Sequence, residues 1–229
     1  MDSMTRSPAG PLQNRVLPTG EIVADPARGL LTGNRGCLHG PDRRLGGARW
    51  RSRLWICCTL TWRDVRRDPM PPGRWTALFF LDEATALAAG HRPCAYCRRP
   101  DYLSYARAWQ SALQLPARPH AVEMDARLHA ERVALRPRRQ RTWSTPVRAL
   151  PDGAMIRHAD TVGLLLAGAY RAWSLTGYGP PVTVAPATRV EVLTPPASVA
   201  ALAHGFHPLI HPSANGCTVA GHVAVPSGV

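Results

Sequence analysis

Two cysteines, Cys94 and Cys97 in the run Pro93-Cys94-Ala95-Tyr96-Cys97, have the spacing best suited to chemistry in this 229-residue chain. A Cys-x-x-Cys pair supplies two thiolates to one tetrahedral metal, usually zinc, and a closed structural site needs two more ligands. The remaining candidates are Cys37, His39, Cys57 and Cys58. Cys57 and Cys58 sit in a β-rich run and point to opposite sides of it, so at most one faces a metal. Trp55 and Cys57 share a side with Arg53. Ile56, Cys58 and Leu60 make the more apolar side, which favours Cys58. Cys37 is the expected fourth ligand, with His39 its rival. The expected site is a structural Zn2+ held by Cys37, Cys58, Cys94 and Cys97. A redox role fits less well, because a helix rather than a strand precedes the pair.

The charge is as telling as the thiols. The chain carries 28 basic residues against 15 acids, a formal charge of +13, and every base is arginine. Codon bias accounts for arginine over lysine but not for the excess of bases, so a polyanion, DNA, is the expected partner. The expected contacts are Arg35, Arg49, Arg51, Arg53, Arg98, Arg99 and the block Arg136, Arg138, Arg139 and Arg141. The missing lysine excludes a Walker-type NTPase, so no nucleotide cofactor is expected. It also excludes Schiff-base chemistry, whether with pyridoxal phosphate or at an abasic sugar.

Carboxylates are too scattered for a two-metal nuclease. A deaminase would need His-x-Glu ahead of the thiols, and the chain has it only behind them, as His129-Ala130-Glu131. Hydrolysis of an N-glycosidic bond asks for less: one carboxylate facing an oxocarbenium-like sugar, and a pocket for an extruded base. Asp125 and His129, i and i+4 on an expected helix, are the best pair for it. Asn34, in a Gly-punctuated loop, suits a base edge or a water. The residues thus point to a zinc-containing, monofunctional DNA glycosylase acting on damaged or modified bases, in repair or anti-phage defence. A non-catalytic zinc-dependent DNA-binding module and a nuclease are the alternatives.

The elements that must position these groups follow from pattern. Asp82 caps a short helix whose Leu81, Ala84, Leu87 and Ala88 share a face; Gly90 ends it and Pro93 forbids its continuation. Residues 49–53 and 54–62 read as one strand with Arg49, Arg51 and Arg53 on one face, and 74–80 as another. Helices are expected over 101–115, whose stripe Tyr102, Tyr105, Ala106, Trp109 and Leu113 reads as core, and over 121–134. Beyond 145, strands are expected at 182–184 and 189–193, and short helices at 164–173 and 196–203. The expected class is α+β: a small zinc-centred, basic nucleic-acid-binding unit with a helical segment over 29–143, then a β-rich lobe over 145–212. Residues 1–28 and 213–229 read as irregular. No apolar run spans a bilayer and no signal peptide is visible, so the cytoplasm is the expected compartment.

One stretch, about residues 79–99, resembles the zinc-binding domain of Ada-type DNA alkylation-repair proteins. The shared order is a helix, Ala89-Gly90, an aromatic position filled by His91, then Arg92-Pro93-Cys94-Ala95-Tyr96-Cys97 and the basic Arg98-Arg99. The resemblance implies a zinc fold that faces DNA. That family's upstream half is Cys-x-x-x-Cys, with one thiol accepting a methyl group; here Cys37-Leu38-His39 and Cys57-Cys58 stand instead, so methyl transfer is not carried over.

Overall fold

The computed structural model describes residues 10–63, 68–134 and 140–216. It shows an α+β protein of two six-stranded sheets and four α-helices among the described residues. The first sheet holds β1 (Gln13–Val16), β2 (Ile22–Ala24), β3 (Leu31–Asn34), β4 (Ile56–Thr59), β5 (Leu78–Phe80) and β6 (Arg92–Pro93), in the order β2-β1-β5-β3-β4-β6. β1 with β5 and β4 with β6 run parallel, and the other pairs antiparallel. The second sheet is wholly antiparallel. Its order is β11 (Gly177–Val182), β10 (Ala169–Ser174), β9 (Thr161–Leu166), β8 (Met155–His158), β12 (Arg189–Val192), β7 (Trp143–Pro146).

Helix α1 (Glu83–Ala88) joins the sheets. Ala86, with Ala89 beyond the helix end, packs on the first sheet with Val16, Leu31, Leu78 and Phe80. Ala84 and Ala88 pack on the second with Met155, Leu164 and Leu193. Leu87 enters a third cluster with the helices α2 (Arg99–Ala112), α3 (Ala121–Arg132) and α4 (Pro196–Ala203). A helix buried on every side needs small residues, and alanine supplies them without loss of helix propensity. The expected cap forms: Asp82 Oδ1 accepts the Thr85 N–H at 2.9 Å. Gly90, at φ 84°, ends the helix, and a Cβ there would stand 2.4 Å from Arg132 Cδ.

Five expectations change. Residues 13–24 are not an irregular arm: they form the β1–β2 hairpin and bury Val16 and Ile22. Residues 49–53 are not a strand; the chain bends there and pairing begins at Ile56. Residues 164–173 are a hairpin, β9–β10, turning at Ala167 and Gly168, both at positive φ. The lobe over 145–212 is β-rich, but its Ile156, Val190 and Val192 share one core with Tyr102, Tyr105, Trp109, Met124 and Leu128 of α2 and α3. The tail remains ordered to Gly216, and residues 217–229 lie outside the described set. No helix among the described residues is long and apolar enough to cross a membrane.

Candidate functional site: a thiol cluster and an arginine–tryptophan cavity

The fold brings three cysteines together. Cys58, Cys94 and Cys97 have sulfurs within 4.8 Å of one another. Strand pairing places them: Cys57 is opposite Pro93 in the parallel β4–β6 pair, and the Cys94 N–H donates to the Cys57 carbonyl at 2.9 Å. That register brings Cys94 beside Cys58. The turn Arg98 N–H to Cys94 O, 3.2 Å, folds Cys97 back, and the Tyr96 N–H points at Cys94 Sγ at 3.4 Å. Hydrogen bonding within the cluster pushes the Cys58 thiol up and pulls Cys94 down. A metal binding here would replace the thiol protons.

Cys37 is not part of this group; its Sγ lies 3.7 Å from the His39 carbonyl oxygen. His39 is no ligand either. Its ring nitrogens are taken by Thr76 Oγ1 at 2.6 Å and the Pro71 carbonyl at 3.1 Å. Cys57 is buried on the other side of β4, with Arg98 Nη1 donating to its sulfur at 3.7 Å. Three thiols separated by no more than 4.8 Å fit one tetrahedral ion, since sulfurs each about 2.3 Å from zinc stand somewhat under 4 Å apart.

The arginines beside the thiols are not free. Arg98 is buried and bonds Glu83 through two nitrogens, at 2.5 and 2.9 Å, and Asp101 at 3.0 Å. Burial lowers its pKa, but Glu83 outweighs that and the net shift is upward. Arg98 therefore knits α1 to α2 rather than facing a phosphate. Arg92 is likewise internal: Nε and Nη2 bond the two oxygens of Asp125 at 2.9 and 2.7 Å. This removes the expected role of Asp125, which is 1% exposed and has both oxygens engaged. It makes no bond to His129. His129 instead edges the rings of Trp50 and Trp55, at 5.6 and 6.5 Å, and burial, with Arg132 and Arg53 nearby, pushes its pKa down. Asn34 ends β3 and accepts the Gly36 N–H at 3.3 Å, closing a local turn. Arg99 is exposed, and Arg136, Arg138 and Arg139 lie outside the described residues.

A second assembly, centred on Trp55, was not foreseen. The guanidinium carbons of Arg35 and Arg132 lie 4.1 and 3.8 Å from its ring centroid. Both arginines are almost wholly buried, at 2% and 1% exposure. Arg35 donates to Gly20 O and reaches His91 Nε2; Arg132 donates to Gly90 O and Arg53 O. Neither is ion-paired with a carboxylate among the described residues. Burial pushes both down to about 9, still above neutrality, so both remain cations. They line a cavity of about 890 Å³ with Arg49, Trp50, Trp55 and Gln140. The sequence signals are thin: Arg132 reaches Trp55, and Gln140 the same cavity, only through the tertiary fold. No family model, curated protein or solved structure matches the chain.

Proposed function

We propose that the chain is a zinc-stabilised nucleic-acid-binding protein. The observation that carries the reading is a knot of arginines without ion pairs among the described residues. Arg51 N–H donates to Arg35 O, Arg132 donates to Arg53 O, and Arg141 N–H donates to Arg132 O, so these segments are in contact. Arg49 lines the same cavity as Arg35 and Arg132. None of these six is in an ion pair among the described residues, although other arginines of the chain find acids. These six charges outnumber the carboxylates that line the same cavity, Glu21, Asp160 and Glu191, and none of the six is paired with one, so the local potential favours a polyanion. Arg49, Arg51, Arg53 and Arg141 are exposed and able to reach a phosphate backbone. Zinc is the metal the soft thiol donors favour. Held by Cys58, Cys94 and Cys97, it would clamp the β4–β6 edge that carries Trp55 into place.

The test is the salt dependence of DNA affinity. Each phosphate neutralised contributes about −0.9 to the slope of log affinity against log salt. Replacing Arg49, Arg51, Arg53 and Arg141 by alanine is expected to flatten that slope by about one unit per lost contact. Absence of binding to any nucleic acid, or an unchanged slope, overturns the reading. A processing step such as N-glycosidic hydrolysis would draw on Glu21 or Asp160, which line the cavity, rather than Asp125. Release of free base from modified duplexes is its readout, and no release on any substrate leaves binding alone.

A further inference from the structure

The cavity contains buried polar atoms of both kinds that the protein leaves unpartnered. Arg35 Nη2 and Arg132 Nε are donors without acceptors; Gln140 Oε1 is an acceptor without a donor. The Gln140 amide cannot turn to relieve this. Its Nε2 donates to the carbonyls of Ala88 and Leu193, at 2.5 and 2.9 Å, which fixes the oxygen on the other side. Oε1 and Arg35 Nη2 both border Gly20, lying 2.8 and 3.9 Å from where a Cβ would stand. Glycine at φ 81° leaves room there for the Gln140 amide.

Buried polar groups in folded proteins are normally hydrogen-bonded, and the orphans of this cavity, Thr19 Oγ1 beside these three, describe what fills it. The occupant has an anionic acceptor for two guanidiniums and, within the same molecule, an N–H or O–H for Gln140. Inorganic phosphate, which keeps a P–OH at neutral pH, meets both conditions but leaves Trp50 and most of the cavity of about 890 Å³ unfilled, and an uncharged base fails the first. We propose that this cavity binds a single phosphorylated nucleoside unit, its phosphate on Arg35 and Arg132 and an N–H of its base on Gln140 Oε1. Trp50, half-buried on the same wall, is the ring against which the base packs, since Trp55 is already covered by the two arginines. A volume of about 890 Å³ falls within the range of small-molecule sites. Glu21 and Asp160 are exposed lining residues and meet the sugar hydroxyls rather than the phosphate. The unit arrives either free or extruded from a strand. The extruded case rests on the nucleic-acid reading above; the free case does not.

Calorimetric titration of the full chain with 5′-mononucleotides, nucleosides and inorganic phosphate tests the site, beside a duplex carrying one unpaired nucleotide. The expected result is one mononucleotide per chain, with nucleoside and phosphate each at least about 10-fold weaker, as loss of a charge-assisted or neutral hydrogen bond requires. Arg35→Gln is expected to weaken the mononucleotide by about 10- to 100-fold. Because it also removes an unpaired buried cation, a melting curve accompanies it. Gln140→Leu is the second variant: it weakens mononucleotide but leaves phosphate unchanged. If only the duplex with the unpaired nucleotide binds, and binds in an Arg35- and Gln140-dependent way, the source is the extruded unit. Mononucleotide and duplex affinities that both ignore these two residues overturn the proposal. Duplex binding that depends only on Arg49, Arg51, Arg53 and Arg141 then leaves the nucleic-acid reading standing without the cavity. Mononucleotide binding without any polymer binding does the reverse.

Discussion

Replacing Asp125 by alanine separates a structural carboxylate from a catalytic one. Asp125, on α3, receives Arg92 Nε and Nη2 at 2.9 and 2.7 Å, and the two side chains are 2% and 4% exposed. The variant strands the Arg92 guanidinium in the interior with only the Pro93 carbonyl, 3.0 Å away, as a hydrogen-bond partner. Breaking a buried pair from one side costs about 3–5 kcal/mol, because the remaining charge is neither solvated nor paired. For a chain of this size each kcal/mol moves the melting temperature by about 2–4 °C, so a fall of roughly 6–20 °C is expected. Removing both charges, as Arg92→Met with Asp125→Leu, is expected to recover most of that loss, since an apolar pair of similar volume carries no stranded charge. Thermal melts of the two single variants and the double variant, with DNA affinity measured on each folded sample, make the check. The reasoning fails if Asp125→Ala melts within about 2 °C of the parent, because a buried bidentate pair cannot be worth so little on these terms. It fails also if Asp125→Asn keeps full stability yet abolishes product formation, which would return the carboxylate to a site.

Two further outcomes follow from the same geometry. Metal content by elemental analysis is expected to be about one equivalent of zinc per chain, lost in Cys58→Ser and Cys94→Ser and kept in Cys37→Ser; loss in Cys37→Ser would show that it ligates after all. Stability is expected to fall on acidification. His91 is fully buried, and burial with the nearby charges of Arg35 and Arg132 pushes its pKa well below the ordinary value. The unfolded chain therefore takes up a proton near pH about 6.5 that the folded chain refuses, and that part of the stability is lost as pH drops below that point. Melting at pH 5.5 is expected below that at 7.5, with the gap narrowed in His91→Gln; equal gaps in parent and variant would remove His91 as the cause.

What the sequence carries and what it conceals divide by range. The Asp82 cap, the Gly90 stop and the spacing of Cys94 and Cys97 are local, and local chemistry was enough to read them. The alternation that turned Cys58 away from Cys57 is local too, once a strand is assumed. Residues 164–173 misled because Leu164-Leu165-Leu166 and the alanines have good helix propensity. The turn that breaks them uses Ala167 at φ 51°, a residue that gives no warning of a positive φ. The partners of arginine were harder still. Charge alone assigned Arg98 to DNA, yet Glu83, fifteen residues back, holds it. Nothing in the pattern shows that Arg35 lacks such an acid while Arg92 has one, because the acids come from elements far along the chain.

The thiol cluster and the cavity are two faces of one strand edge. Trp55 immediately precedes β4, its carbonyl accepts the Arg92 N–H at 3.1 Å, and Cys57 O accepts the Cys94 N–H at 2.9 Å two residues on. Pleating sends Cys58 to the side opposite Cys57, so a metal on Cys58, Cys94 and Cys97 grips the β4–β6 pair without entering the cavity. β6 is only two residues long and cannot hold Trp55 by strand pairing alone. The grip has a definite load to resist. Arg35 and Arg132 both lie against Trp55 and repel one another, and burial lowers the pKa of each, with Asp125 offsetting this only in part for Arg132. Such a pair relaxes apart unless its surroundings are rigid. Gly90 fixes one arm by letting the Arg132 side chain pass over its bare Cα, and the Arg92–Asp125 pair ties β6 to α3, the helix that ends in Arg132. Thiol cluster, buried ion pair and glycine thus converge on keeping two cations together, an arrangement that is costly in the free protein and less costly when an anion sits beside them.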